Sequence, residues 1–345
     1  MLYDNLETYL RYYLKELLSV DSPSGFTDNM GKRLEELIEE IGWEWRRTRR
    51  GNRMVRVKGK DDSRKVALAA HVDTLGLIVR SVSGSGEIML SRIGGPVLPS
   101  LDSEYCRIYT RDGQVYTGTV LSLSPAKHVF PDANTRVRDL DNMYVRLDNE
   151  AYSKEDVEKL GIRPGDYVCY DPKLVITDTG FVKSRFLDDK ASAACLLAVL
   201  RLMKEQNITP ACTSEFIFSV HEEVGSGGAT FPDDLDELLI VDMGCVGLDL
   251  RCRETQVSIC PKDSGGPYDY KITSRLVELA EKNGVDYALD VYPMYSSDAT
   301  VAWCAGNDLP AGLIGPGVQA SHGMERTHMK ALLGTGKLIG AYLGL

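Results

Sequence analysis

No stretch of this 345-residue chain holds the ~18–20 consecutive apolar residues that a membrane-spanning helix requires. The opening segment "MLYDNLETYLRYYLKELLSV" is amphipathic instead. Leu6, Tyr9, Leu10, Tyr13, Leu14 and Leu17 share one helical face and charges interrupt the rest, so a packed helix is expected rather than a signal peptide. The eight cysteines (Cys106, Cys169, Cys195, Cys212, Cys245, Cys252, Cys260 and Cys304) include no CxxC pair. Several sit inside apolar runs such as "ASAACLLAVL", which suits small buried hydrophobes in a reducing compartment better than a disulfide framework. A cytoplasmic protein is expected. Basic charge is short too: 40 Lys and Arg against 50 Asp and Glu leave a formal net charge of −10, which argues against a nucleic-acid binder and leaves no membrane or nucleic-acid partner expected. The local exception, Arg46 to Arg50 with Arg53, Arg56, Lys58 and Lys60, reads as a charged edge strand. The glycines of "GSGG" lack the GxGxxG and Walker spacings, and Gly225 breaks the HExxH pattern that His221 and Glu222 begin. No internal repeat or low-complexity segment is present.

At 43% hydrophobic residues the chain can bury a large core, and its length suggests two domains. Residues 1–74 read helix, Pro-Gly loop, helix and strands, ending in the buried strand of "KVALAAHVDTLG"; Thr27 or Asp28 can cap the second helix and Gly42 stops it. From 75 to 174 short strands with turn signals dominate, including a hairpin at Arg111-Asp112-Gly113-Gln114, with one helix capped by Ser153 and Asp156. That texture predicts a small barrel or sandwich. From 175 to 345 strands alternate with long helices again. The expectation is an α/β fold, residues 1–74 and 175–345, with an all-β domain inserted at 75–174.

The stretch "SVHEEVGSGG" sets two glutamates side by side where a buried strand meets glycines. Strand side chains alternate, so Glu222 and Glu223 can face one site only if the backbone turns there, and Gly225, Gly227 and Gly228 permit such a turn. Other ligand-type residues fall at similar places: His71 and Asp73 end a strand, Asp188 and Asp189 open a helix, Asp242 ends a strand, and His322 lies in "QASHGMERTH". Ends of strands and starts of helices form the crevice where α/β sheets carry their sites. Singly, each has a plain reading: His71 as a core histidine, Asp188 as a helix cap, Asp242 as a loop cap. Together, two imidazoles and several carboxylates at one crevice would stay repulsive and desolvated without a cation. Zinc and cobalt accept mixed nitrogen and oxygen ligands. The spacing of His71 and Asp73 lets the carboxylate take the second ring N–H of His71, fixing its tautomer.

In their order, "AHVDTLG", "FLDDKAS", "HEEVGSGGA", "VDMG", "SSDA" and "ASHGMERTH" resemble the motifs of the cocatalytic two-metal aminopeptidases, and among these the tetrahedral (TET) type, known as glutamyl or deblocking aminopeptidases and sometimes labelled endoglucanases. The likeness spans essentially the whole chain. It implies a zinc-aminopeptidase-like mixed sheet flanked by helices, with a small all-β insert, barrel- or PDZ-like, serving dimerisation. It also implies two divalent ions per subunit, zinc or cobalt or else manganese. Asp188 would bridge them, His71 and Asp242 would complete one site, and Glu223 and His322 the other. Glu222 would be the general base, with Asp73 supporting catalysis. The implied activity is removal of N-terminal residues from short peptides through a metal-activated water, by a homo-oligomer ranging from dimer to dodecamer.

Two departures mark a distinct branch. Thr74 stands where the family commonly has Glu in H-x-D-E-x-G, and Gln319-Ala320-Ser321-His322-Gly323 replaces R-Y-x-H-S. Both spare the expected ligands and leave side-chain preference open. Ser297 and Asp298 either line a substrate pocket or cap the next helix, and His328 has no assigned role. The same motifs also fit a two-metal hydrolase of a blocked dipeptide or acyl-amino acid. A non-catalytic metal-binding assembly protein is the reading from another class.

Overall fold

The computed structural model describes residues 2–345. They form two compact units, one running to Asp73 and resuming at Lys173, the other comprising Thr74–Pro172.

The first unit is organised by four parallel strands, in the spatial order Cys212–Ser219, Asp61–His71, Glu237–Val241 and Ala311–Gln319. Antiparallel strands extend this sheet on both sides, with Arg53–Val57 and Arg46–Arg47 at one edge and Glu325–His328, Phe181–Ser184 and Val175–Ile176 at the other. Every residue of Cys212–Ser219 and Glu237–Val241 is buried, as expected for parallel strands covered on both faces. The register pairs Ser219 with His71 and Ile240 with Ala69, so these three strands end level, while Ala311–Gln319 runs on past Ile314, the partner of Val241. Four segments that carry ligand-type residues therefore leave the sheet at one end.

The helix Leu187–Glu205 is buried almost all round, which its apolar run "ASAACLLAVL" permits, and it packs on Leu6–Leu18 and Met329–Leu343. Leu6–Leu18 buries the six residues of its expected face together with Leu18. Gly42 closes Asp28–Ile41 in a left-handed cap. Thr27 occupies that helix's N-cap position, but its side chain makes no cap bond. Part of the basic run does form the sheet edge. Arg53, however, is only 2% exposed and is clasped by Glu35, and Arg46 and Arg56 both pair with the buried Glu215.

The second unit is a closed antiparallel barrel ordered Gly76–Val82, Ile88–Ile93, Met143–Leu147, Val115–Ser122, Glu104–Tyr109 and Tyr167–Tyr170. Its inward residues alternate along the strands, with Leu77, Val79, Ile88, Leu90, Ile108, Val120, Val145 and Val168 buried. Among the described residues no helix is long and apolar enough to cross a membrane.

Candidate metal centre

The strand Cys212–Ser219 ends at residue 219, and Glu222–Val224 forms a single 3-10 turn closed by Gly225 at φ +70°. That turn brings both glutamates to the same crevice. Gly228 lies so close to the helix Asp298–Cys304 that a Cβ there would fall 2.1 Å from the Asp298 carbonyl oxygen, so only glycine fits.

Asp73, fully buried, fixes the turn from the neighbouring strand. Its carboxylate accepts the backbone N–H of Glu222 (3.1 Å) and of Glu223 (3.3 Å) and the hydroxyl of Ser24 (2.5 Å). The His71 ring does not take the partner expected from spacing. Its Nδ1 lies 3.0 Å from the Asp73 backbone carbonyl and 3.6 Å from the carboxylate, so the carbonyl is the acceptor. The carboxylate is already committed to the glutamate turn. With Nδ1–H donating there, Nε2 faces Asp188 Oδ1 at 3.1 Å and Glu222 Oε2 at 3.8 Å.

Asp188 stands between two imidazoles. Its Oδ1 faces His71, and its Oδ2 lies 3.6 Å from His322 Nε2. The same His322 nitrogen is 3.6 Å from Glu223 Oε2. Backbone angles at Asp188 and Asp189 are non-helical, and both side chains face the site, Asp188 toward the His71 ring and Asp189 toward the His71 backbone N–H. Ligand atoms of His71, Asp188 and Glu223 lie within 4.8 Å of one another, as do those of His71, Asp189 and Asp242.

Electrostatics describes a cluster short of positive charge. Burial raises Glu222, Glu223 and Asp189 well above the usual carboxylate range, and neighbouring carboxylates add to it. Burial and then Asp188 push Asp242 up to about 7. At Asp188 burial acts in the same direction, but the His71 hydrogen bond and the two imidazoles outweigh it and hold the group below its ordinary value. Burial also opposes the His71 imidazolium, and the surrounding carboxylates overcome it and raise that ring's pKa well above normal. Glu223 Oε1 and Asp189 Oδ1 are buried without a hydrogen-bond donor. Buried acceptors of this kind are costly unless something positive meets them. Imidazole nitrogen with several carboxylate oxygens is a donor set that zinc, cobalt and manganese all accept, so the residues fit divalent cations.

The sequence reading counted Asp189 among the ligand-type positions but gave it no role, since nothing in the pair Asp188-Asp189 showed that both face inward, and it missed Glu325 altogether. Glu325, 1% exposed, accepts the backbone N–H of Asp188 (3.0 Å) and of His322 (3.0 Å) and so ties two ligand-bearing segments together. Asp298 is buried beneath the glutamate turn, where its carboxylate accepts the Ser219 hydroxyl (2.5 Å); burial raises its pKa to about 6. Ser297 is wholly enclosed, accepts the Ala299 N–H (3.2 Å) and meets the Tyr268 hydroxyl (2.7 Å), which is the helix-capping alternative rather than a wall of an open pocket. His328 lies away from the cluster: its Nδ1 caps the helix Met329–Leu343 and its Nε2 meets the Thr179 carbonyl.

Comparison with known proteins gives a consistent result. Residues 51–338 match the profile of the M42 glutamyl aminopeptidases. The protein YhfE of Bacillus subtilis (strain 168), itself named only provisionally as an aminopeptidase, is 44% identical over 331 residues, 96% of each chain. Among solved structures, aminopeptidase APDkam598 from the archaeon Desulfurococcus kamchatkensis superposes with a TM-score of 0.86 at 24% identity, over 98% of this chain and 95% of that one. The TET1 peptidase of Pyrococcus horikoshii, which can assemble into a tetrahedron or a large octahedral shell, gives 0.83 at 19% identity over 97% and 99%.

Proposed function

The chain belongs to the M42 glutamyl aminopeptidase family, a family of peptide-bond hydrolases, and from that premise we propose that it is a metal-dependent enzyme removing N-terminal residues from short peptides. The observation that carries this reading is Asp188, whose two carboxylate oxygens each face an imidazole, with Glu222 beside one and the unsatisfied Glu223 beside the other. Two divalent cations would be held by His71, Asp188 and Asp242 with Asp189, and by Asp188, Glu223 and His322. Bound there, they would supply Lewis acidity that polarises a scissile carbonyl and acidifies water.

The chain's own residues do the rest. Glu222 is the proton carrier: it takes the proton of the attacking water and delivers it to the leaving amine. Its raised pKa suits that exchange, since a carboxylate made more basic by burial accepts a proton more readily. Asp73 holds the backbone of Glu222 and Glu223 at fixed height, so base and ligand keep their separate directions. The His71 ring is kept in one tautomer by the Asp73 carbonyl, with Nε2 free to coordinate. Homo-oligomerisation, short-peptide substrates and a cytoplasmic location complete the reading, supported by the assembly of TET1 and by the absence of a long apolar helix among the described residues.

The test is mass spectrometry of a mixed short-peptide pool, half of it N-acetylated, incubated with cation-reconstituted protein and with a chelated control. Chelator-sensitive ladders, one residue shorter at each step from free N-termini, are expected. Glu222→Gln should keep its metal and lose most turnover, whereas Asp188→Ala should lose the metal. Cleavage by Glu222→Gln at the unmodified rate would refute the proton-carrier role, and an untouched free pool would refute the aminopeptidase reading.

A further inference from the structure

Two cavities, of about 310 and about 300 Å3, flank the glutamate turn and share two lining residues, Arg50 and His221. The first is walled by the hairpin turn that joins Arg46–Arg47 to Arg53–Val57 and by residues 226–230. The second opens at the start of the helix Asp28–Ile41. Both lie toward the sheet edge that those two strands form, whereas Asp242 lies on the other side of Asp61–His71. We propose that Arg50, His221 and the start of this helix form a carboxylate site that holds the C-terminus of a di- or tripeptide while its first peptide bond lies at the cluster. The inference rests on the aminopeptidase reading and adds to it the length and the free C-terminus of the preferred substrate.

The groups around these cavities have hydrogen-bond donors left over. Arg50 commits only part of its guanidinium, to the Ser226 carbonyl (3.1 Å) and hydroxyl (3.0 Å). The His221 ring has no hydrogen-bond partner among the described residues, and an imidazole carries an N–H donor in either tautomer. Thr27 holds the N-cap position of the helix, is 8% exposed and lines the second cavity, yet its hydroxyl caps nothing. The leading N–H groups of that helix therefore lack a side-chain acceptor, at an end where the helix dipole favours an anion. Asp28, the one carboxylate in either lining, is exposed to water, which screens it.

The site is fixed to the catalytic turn. In the hairpin turn the Thr48 N–H donates to the Asn52 carbonyl (3.0 Å), and Gly51 takes φ +107°. Asn52, 6% exposed, donates its side-chain N–H to the Gly227 carbonyl (3.2 Å), so with Arg50 three hydrogen bonds dock the hairpin on the residues that follow Glu223. His221 immediately precedes Glu222, which ties the other side of the site to the proton carrier. An extended peptide advances about 3.3–3.6 Å per residue, so a carboxylate bound this close to Glu222 belongs to a chain of two or three residues and not to a long one.

The test measures kcat/KM of the cation-loaded protein on di-, tri- and hexapeptides that share the N-terminal residue cleaved best, each as free acid and as C-terminal amide. A hydrogen bond to a charged group contributes about tenfold, so the di- and tripeptide acids should exceed their amides by that factor, chiefly through KM, and the hexapeptide acid should not. Arg50→Gln should lower the acid-to-amide ratio about tenfold. Asp28→Asn, at an exposed position, removes the competing carboxylate and should raise the ratio about twofold. Equal cleavage of acids and amides, or a ratio that survives Arg50→Gln, would overturn the proposal. So would an Arg50→Gln variant that slows acids and amides alike, since the arginine would then only brace the glutamate turn. Calorimetric titration with N-acetyl-dialanine and its amide separates the two readings. Arg50-dependent preference for the acid without turnover of any peptide keeps the site and removes the peptidase. Absence of that preference in both assays overturns the site even where peptides are cleaved. Arg50-dependent binding of succinate, with acids and amides cleaved alike, would assign the cavity to a free carboxylate and overturn its role in holding substrate.

Discussion

Stripping divalent cations from this protein and raising the pH from 5 to 8 should destabilise it, against the usual behaviour of an acidic chain leaving its acid limb. The reason lies in the carboxylates of the cluster. Burial first, and then carboxylate neighbours, raises Asp242 from 3.8 to about 7, and burial raises Asp298 from 3.8 to about 6. Glu222, Glu223, Glu325 and Asp189 are displaced in the same direction. At pH 5 these groups are protonated in the folded chain and largely ionised in the unfolded one. The folded state therefore binds more protons, and stability falls as the pH rises through each folded value. His71 acts with the same sign, because a raised imidazole contributes stability below its folded value and loses it above. At about 1.36 kcal/mol per pKa unit, the part of each shift that lies above pH 5 gives about 2.7 kcal/mol for Asp242 and about 1.4 kcal/mol for Asp298. Together they set the loss between pH 5 and pH 8 at about 4 kcal/mol. At roughly 2 °C per kcal/mol for a chain of this size, Tm should drop by roughly 8 °C between pH 5 and pH 8. Added zinc, cobalt or manganese should reverse the trend, because a bound cation favours every ionised ligand. Thermal melts followed by circular dichroism, with and without chelator, give the answer. A chelated protein whose Tm stays flat or rises from pH 5 to 8 would refute the reasoning, as would equal cation stabilisation at both values.

Two substitutions probe the groups that position the cluster. Glu325→Ala takes the acceptor from the buried N–H of Asp188, at about 1–3 kcal/mol, and from the partly buried N–H of His322 at less, and should weaken cation binding about 10–100-fold. Denaturant unfolding and competition with a metal indicator measure the two effects, and unchanged affinity would remove Glu325 from the site. Asp73→Asn replaces one acceptor oxygen by a donor facing N–H groups, so kcat should fall about 10–100-fold while bound metal is retained. Loss of metal instead would mean that Asp73 supports the ligands and not the placement of Glu222.

Much of this arrangement was visible in the sequence, because the signals were backbone signals. Short apolar runs marked the strands, and the glycines after Glu223 announced the turn that lets adjacent glutamates share a site. Closely spaced strands between 75 and 174 announced a small barrel or sandwich, and pairing across the chain closes it into the barrel. What stayed hidden depends on which atom of a residue does the work. Asp73 offers a carbonyl and a carboxylate within reach of His71, and residue spacing does not distinguish them. Glu325 acts on backbone amides, which leave no mark in residue type. Asp189 turns inward only because the helix start is non-helical at that point. Ser297 at a helix start reads equally as cap or pocket wall until tertiary burial decides.

The position of Asp61–His71 between two later strands has a consequence for the nascent chain. Both of its neighbours, Cys212–Ser219 and Glu237–Val241, are synthesised after the whole barrel. At ~5–20 residues per second, the apolar "VALAA" segment waits roughly 10–30 s with both hydrogen-bonding edges open. The barrel, whose strands pair only among themselves, can close during that interval. A ribosome stalled before residue 241 would thus display a folded insert on an unfinished, strand-hungry host, the state in which this chain most needs a chaperone.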